Sequence, residues 1–287
     1  MDWQSPSLSQ QLYYSTCRCH TTAQIRSDRM LRAGHAAMAR ALTHRDGSLY
    51  LQADNTLPGN PFLPQGLNML DHRTGVDAWT VEGGPMSNGV LTSFYSTLLD
   101  QMAYITTRTR AFVAPMSRAP MNAPYLTQTR RVQEATMLLA FHPKQIVDWA
   151  SFEPGSNRLD VWPEEGIYPT RPIQSMGVPR GRGCLAGTGV VCSRGGHRSL
   201  QVAPGVYRRE FRSCYERQIR FGGCATVMNT TGNYVTVRRS WLRQSYRHQM
   251  TFTGGDVQSG GAVGLTGAPF GPGAAFIPPN DAVLLAP

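Results

Sequence analysis

Twelve of the 37 residues from 153 to 189 are glycine or proline. Proline removes a backbone donor and fixes φ, and glycine raises the entropic cost of ordering, so such a stretch resists both helix and ladder. It divides the chain into an N-terminal part (1–152), a linker open to proteases (153–189) and a C-terminal part (190–287). Over all 287 residues, 29 glycines and 20 prolines point to a loop-rich, extended α+β chain. Its limited core would lean on larger neighbours for stability.

Residues 1–20 read as an extended polar arm. Trp3, Tyr13 and Tyr14 are its anchors, since such an arm buries its rings only by lying on a partner. Thr21 and Gln24 have capping-box spacing, which predicts a helix over 22–44. Residues 47–88 read as irregular. From 89 to 110, Leu91, Phe94, Tyr95, Leu98, Leu99, Met102 and Ile105 recur at three- and four-residue steps, the stripe of a core helix. Pro115, Pro120 and Pro124 enforce an extended connector. A shorter helix follows over 127–141, so the N-terminal part is expected to be helical.

Beyond residue 190 the expectation is short strands. Gly222-Gly223 between two apolar runs reads as a tight hairpin, a strand follows Gly232, and 254–287 reads as an extended tail.

Charge concentrates in this part. The chain carries +10, of which 11 arginines against 4 acids follow residue 189. Lys144 is the sole lysine, and arginine's planar fork suits phosphates, carboxylates and buried interfaces. Arg208, Arg209, Arg212, Arg238, Arg239 and Arg243 interleave with Tyr207, Phe211, Tyr234 and Trp241. That pattern fits single-stranded nucleic acid, but with no RNP, KH or zinc-knuckle signature present it fits a protein interface rich in Arg and Tyr better.

The familiar catalytic patterns do not fit. Gly181, Gly183 and Ala186 match a relaxed dinucleotide fingerprint, but no strand precedes it and no helix follows. The sole lysine lies outside any P-loop, and neither a nucleophile elbow nor a zincin motif occurs. Cys17, Cys19 and His20 offer three ligand types on one loop without the partner spacing of a zinc site. No apolar leader and no run of about 18 apolar residues is read, so the cysteines are expected as free thiols. The expectation is a protein that is not an enzyme and holds no cofactor or metal.

Leu185-Ala186-Gly187-Thr188-Gly189 remains, and it reads as a protease substrate. Leu185 offers one anchoring side chain, and Gly187 and Gly189 let the backbone lie flat in a narrow cleft. The pattern resembles the recognition sequence of the adenovirus maturation protease, with the cut between Thr188 and Gly189. The chain resembles the adenovirus hexon-linking protein family, precursors of minor capsid protein VIII, in four places taken in order. These are Trp3-Gln4 with Tyr14-Ser15-Thr16, the stretch from Pro172 to Val190, Val206 to Phe211, and Pro269 to Val283. Gly261 before Ala262 fits a second, permissive form of the cleavage site.

The resemblance implies a cement protein on the inner capsid face, present in the host nucleus during assembly. Its partners would be the hexon major capsid protein, other minor capsid proteins and the maturation protease. No membrane is implied, and the arginine-rich part would face the genomic DNA core.

Overall fold

The computed structural model describes residues 51–54, 78–108, 112–119, 123–142, 162–181, 192–216, 219–253, 262–266 and 275–287. The C-terminal part is organised by alternation along three long strands. Strand β7 (Val206–Glu216) pairs antiparallel with β8 (Ile219–Asn229), which pairs antiparallel with β13 (Asp281–Ala286). Successive side chains of a strand point to opposite faces. Tyr207, Phe211, Cys224, Met228, Ala282 and Leu284 enter one core. Val206, Ala225, Val227, Val283 and Leu285 enter another on the opposite face.

The remaining strands of this sheet are β5 (Ile167–Pro172), β6 (Gln201–Ala203), β10 (His248–Thr253) and β11 (Ala262–Thr266). The order among the described residues is β11-β10-β13-β8-β7-β5, with β6 also against β7.

A smaller sheet precedes it. Strand β2 (Ala78–Ser87) lies between β1 (Leu51–Asp54) and β4 (Phe112–Arg118), parallel to both. Helix α1 (Tyr95–Arg108) is the crossover from β2 to β4, as parallel pairing demands. At the end of β2, Asn88 (φ 51°) and Gly89 (φ 76°) turn the chain into β3 (Val90–Leu91). Both central residues are left-handed, the requirement of a type I′ hairpin.

Helix α2 (Leu126–Ala140) contacts strands of both sheets and is buried on nearly every side. Val132, Ala135, Leu138 and Leu139 supply its apolar packing. Its inward polar groups all have partners, as burial requires. The Gln133 amide donates to Pro115 O at 2.8 Å and accepts from Ser117 N at 3.1 Å, so it hydrogen-bonds to β4 as a neighbouring strand would. Thr136 Oγ1 lies 2.7 Å from Tyr95 Oη. Arg130 forms a two-pronged salt bridge with Glu164, at 2.5 and 2.6 Å. Its guanidinium lies 4.5 Å from the Trp162 ring centre and 5.7 Å from that of Phe252.

The second core is covered by a third layer. Strands β9 (Val235–Thr236) and β12 (Phe276–Ile277) form an antiparallel ribbon, followed after β9 by the 3₁₀ turn Arg239–Trp241. Val237, Leu242, Tyr246, Ala275 and Ile277 fill the space between ribbon and sheet.

These observations correct the expected fold class. Strand predominates over helix, and the described residues contain two α-helices, so a loop-rich α+β chain with a helical N-terminal part does not describe them. The helix expected from residue 89 begins at Tyr95, because Asn88-Gly89 closes a hairpin first. The 22–44 helix lies outside the described residues. Gly222-Gly223 is not a hairpin turn: both glycines lie inside β8, where Cys214 faces Gly222 at a register shift. The expected tail holds β11, β12 and the fully buried β13. Free thiols are also corrected. Cys214 and Cys224 are disulfide-bonded with Cα atoms 5.8 Å apart, and Cys192 is disulfide-bonded too.

Candidate interaction surfaces and processing site

An isolated antiparallel bridge closes the base of the glycine-laced stretch. Arg180 N donates to Arg194 O at 2.9 Å, and Arg194 N returns a bond to Arg180 O at 3.1 Å. Ser193 adds a backbone donor at 3.0 Å and its hydroxyl at 3.3 Å to the same carbonyl. Arg180, Gly181, Ser193 and Arg194 are all exposed. Leu185, Gly187, Thr188 and Gly189 fall between the two arms of this clasp, outside the described residues. So do Trp3, Tyr13, Tyr14 and Gly261, together with Cys17, Cys19 and His20. Ala262 begins β11, paired with Thr253.

Residues before and after the clasp share buried contacts. Arg209 faces the helices beside Tyr207 and Phe211. Its Nη1 donates to Leu139 O at 2.6 Å and Phe141 O at 2.9 Å, and its Nε to Gln174 O at 3.2 Å. The last carbonyls of a helix have no intrahelical donor and sit at the negative end of its dipole; Arg209 supplies both donor and charge to α2. Burial lowers its guanidinium pKa to about 10.

Arg131 Nε reaches Asp281 Oδ1 at 2.9 Å, and Gln128 Nε2 reaches Asn280 O at 2.9 Å. Both bonds hold α2 to the start of β13.

A buried Asp–His pair makes a further tie. Asp100 on α1 accepts from His197 N at 2.9 Å and lies 2.8 Å from His197 Nδ1, with both side chains almost fully enclosed. The adjacent Gly196 has φ 52°, and a Cβ there would stand 1.9 Å from Asp100 Oδ1. Only glycine permits this approach. A carboxylate that orients an imidazole is half of a nucleophile-activating arrangement. Among the described residues no bond joins this ring to a hydroxyl or thiol that it could activate. No group of three metal-ligating side chains occurs among the described residues either.

The six arginines named from the sequence separate into two sets. Arg209 is interior, which corrects its reading as a surface contact. Arg208 is mostly covered and paired with Glu210. Arg212, Arg238, Arg239 and Arg243 are exposed. The interleaved aromatics divide in the same way: Tyr207 and Phe211 are core, while Tyr234 is 71 % exposed. Phe276, 66 % exposed, was not singled out from the sequence as a surface ring. Its position opposite Thr236 on the ribbon shows why, since the pairing is nonlocal.

No protein-family model matches the chain, and no curated protein matches it.

Three buried phenols dictate the alkaline limit of the fold. Burial raises the pKa of Tyr95, Tyr207 and Tyr246, and for Tyr246 the charge of Glu210 adds to the effect. A folded-state value above the unfolded one gives stability that is intact below the unfolded pKa of about 10 and is lost as pH rises beyond it. The lowered value of Arg209 acts in the opposite sense, but one guanidinium is outweighed by three phenols. Stability is therefore expected to fall above about pH 10. Phenolate absorbance should show at least three of the 11 tyrosines ionising only as the protein unfolds.

Proposed function

We propose that the chain is a structural adaptor of a virus capsid, a minor cement protein on the inner capsid face. It links hexon major capsid proteins to other minor proteins and is cut between Thr188 and Gly189 by the viral maturation protease. The observation that best supports this reading is the exposed clasp of Arg180 and Arg194. Its two arms are exposed and flank the Leu185–Gly189 sequence along the chain. The four-part resemblance to the hexon-linking family adds the capsid context. The shared core supports the rest: an adaptor that is severed during maturation keeps its place only if its halves remain joined.

The test is digestion of the full-length protein with an adenoviral maturation protease, followed by mass spectrometry. A new N-terminus at Gly189 is expected; a chain that stays intact across 182–191 overturns the reading. A second outcome follows from β5 pairing with β7 and from the ties of Arg209, Asp281 and His197 across the cut. After cleavage, with a reductant present to open the Cys192 disulfide, whose partner must precede the cut because Cys214 and Cys224 bond each other, the two products should elute together on native size exclusion and separate only in denaturant. Fragments that part in buffer would contradict the shared core.

A further inference from the structure

The ribbon of β9 and β12 has one face in the core and one face in solvent. Val235, Val237 and Ile277 point inward. Tyr234 and Arg238, on either side of β9, are exposed, and Thr236 between them is half-buried with Phe276 directly opposite it. Tyr234, one residue before β9, and Phe276, on the partner strand β12, are both largely exposed. The Arg238 guanidinium lies 5.7 Å from the Trp241 ring centre. The surroundings are cationic. The C-terminal part has 11 arginines against 4 acids; Glu210, Asp281 and Arg209 are buried, while Arg238, Arg239 and Arg243 are exposed beside the ribbon's sequence.

From this arrangement we infer that the outer face of the β9–β12 ribbon binds single-stranded nucleic acid. Tyr234 and Phe276 act as stacking platforms for successive bases, and Arg238 and Arg239 contact the phosphates. Aromatic rings in a basic setting are the general solution for strands without sequence preference, because every base offers a π-face. The same face suits a protein partner less well. Two exposed rings flanked by a threonine and an arginine offer far less than the area of about 800 Å² per partner that a stable protein interface buries. The inference is independent of the capsid reading, since neither hexon nor protease enters it.

The test uses the full-length protein and a fluorescently labelled oligothymidylate of about 16 nucleotides, with anisotropy as the readout. Binding at low salt is expected, weakening linearly on a log–log plot as salt rises. The double variant Tyr234→Ala/Phe276→Ala should bind at least about 10-fold more weakly while melting at the wild-type temperature. Arg238→Ala should reduce the salt slope by about 0.7. Absence of binding at low salt overturns the inference, as does a double variant that binds as tightly as wild type. If the double variant does not fold, Tyr234→Phe and Phe276→Tyr decide: both keep the ring, and loss of binding in both overturns stacking.

Discussion

Replacing Glu210 with alanine is expected to lower the unfolding free energy by about 3–5 kcal/mol. Glu210 lies on β7 and is fully enclosed. One carboxylate oxygen accepts from Gln174 Nε2 at 3.1 Å and from Arg208. The other accepts from Arg243 N at 2.8 Å, Gln244 N at 3.0 Å and Tyr246 Oη at 3.0 Å. Its backbone is held as well, with Glu210 N bonded to Gln174 Oε1 at 2.7 Å and Ile173 N bonded to Glu210 O at 2.8 Å. The residue therefore joins the strand before the clasp, the central sheet and the outer layer. Truncation strands five donors at once, two of them backbone amides, and leaving such groups unpaired costs more than the bonds themselves contribute.

Denaturant titration of Glu210→Ala measures the loss; a change below about 1 kcal/mol would show that the donors find water. Glu210→Gln adds a chemical check. It removes a charge that helps to hold the Tyr246 phenol neutral, so Tyr246 should ionise at lower pH than in the wild type.

The second large effect belongs to Arg130 and Glu164. Both side chains are almost fully buried, and the guanidinium is enclosed by Trp162 and Phe252. Removing one partner, as in Glu164→Ala, leaves a charge in a site that excludes water and is expected to cost about 3–5 kcal/mol. Removing both is a different experiment. Arg130→Met with Glu164→Leu replaces two desolvated ions by apolar groups of similar volume and should come within about 1 kcal/mol of wild type or exceed it. The coupling energy from the full cycle of single and double variants checks the assignment. Equal losses in the single and double variants would mean that packing around Trp162, and not the charge pair, sets the stability.

The sequence showed clearly those elements whose signal is local. The 127–141 periodicity matches α2, and Tyr95, Leu98, Leu99 and Met102 of the earlier stripe do enter the core. What failed was nonlocal. Strands β2 and β4 pair across α1, and their Gly83, Gly84 and Pro115 read as loop residues when each strand is seen alone. Strand β13 reads as a tail in the sequence because glycine and proline crowd the stretch before it. Its Ala282-Val-Leu-Leu-Ala286 is nevertheless an unbroken apolar run, the mark of a strand covered on both faces.

Among the arginines, the signal was present and unused. Tyr207, Arg209 and Phe211 share one face of a strand by parity, so an inward Tyr207 and Phe211 imply an inward Arg209. Why that arginine is needed could not be read, because the carbonyls it caps lie about 70 residues away. The pairing of Asp100 with His197 was hidden for the same reason. Phe276 and Tyr234 each look like ordinary aromatics until the ribbon leaves both largely exposed.

The position of β13 has a consequence for how the protein is made. It lies between β8 and β10, with Ala282 opposite Met228 and His248 opposite Ala286. The 52 residues added after Asn229 to reach Asp281 take about 3–10 s to synthesise at ordinary ribosome speeds. Throughout that interval the nascent chain presents an unpaired β8 edge of high apolar content, the kind of template on which chains associate. Expression in cells should therefore be limited by aggregation of unfinished chains, and slower translation alone would worsen the yield.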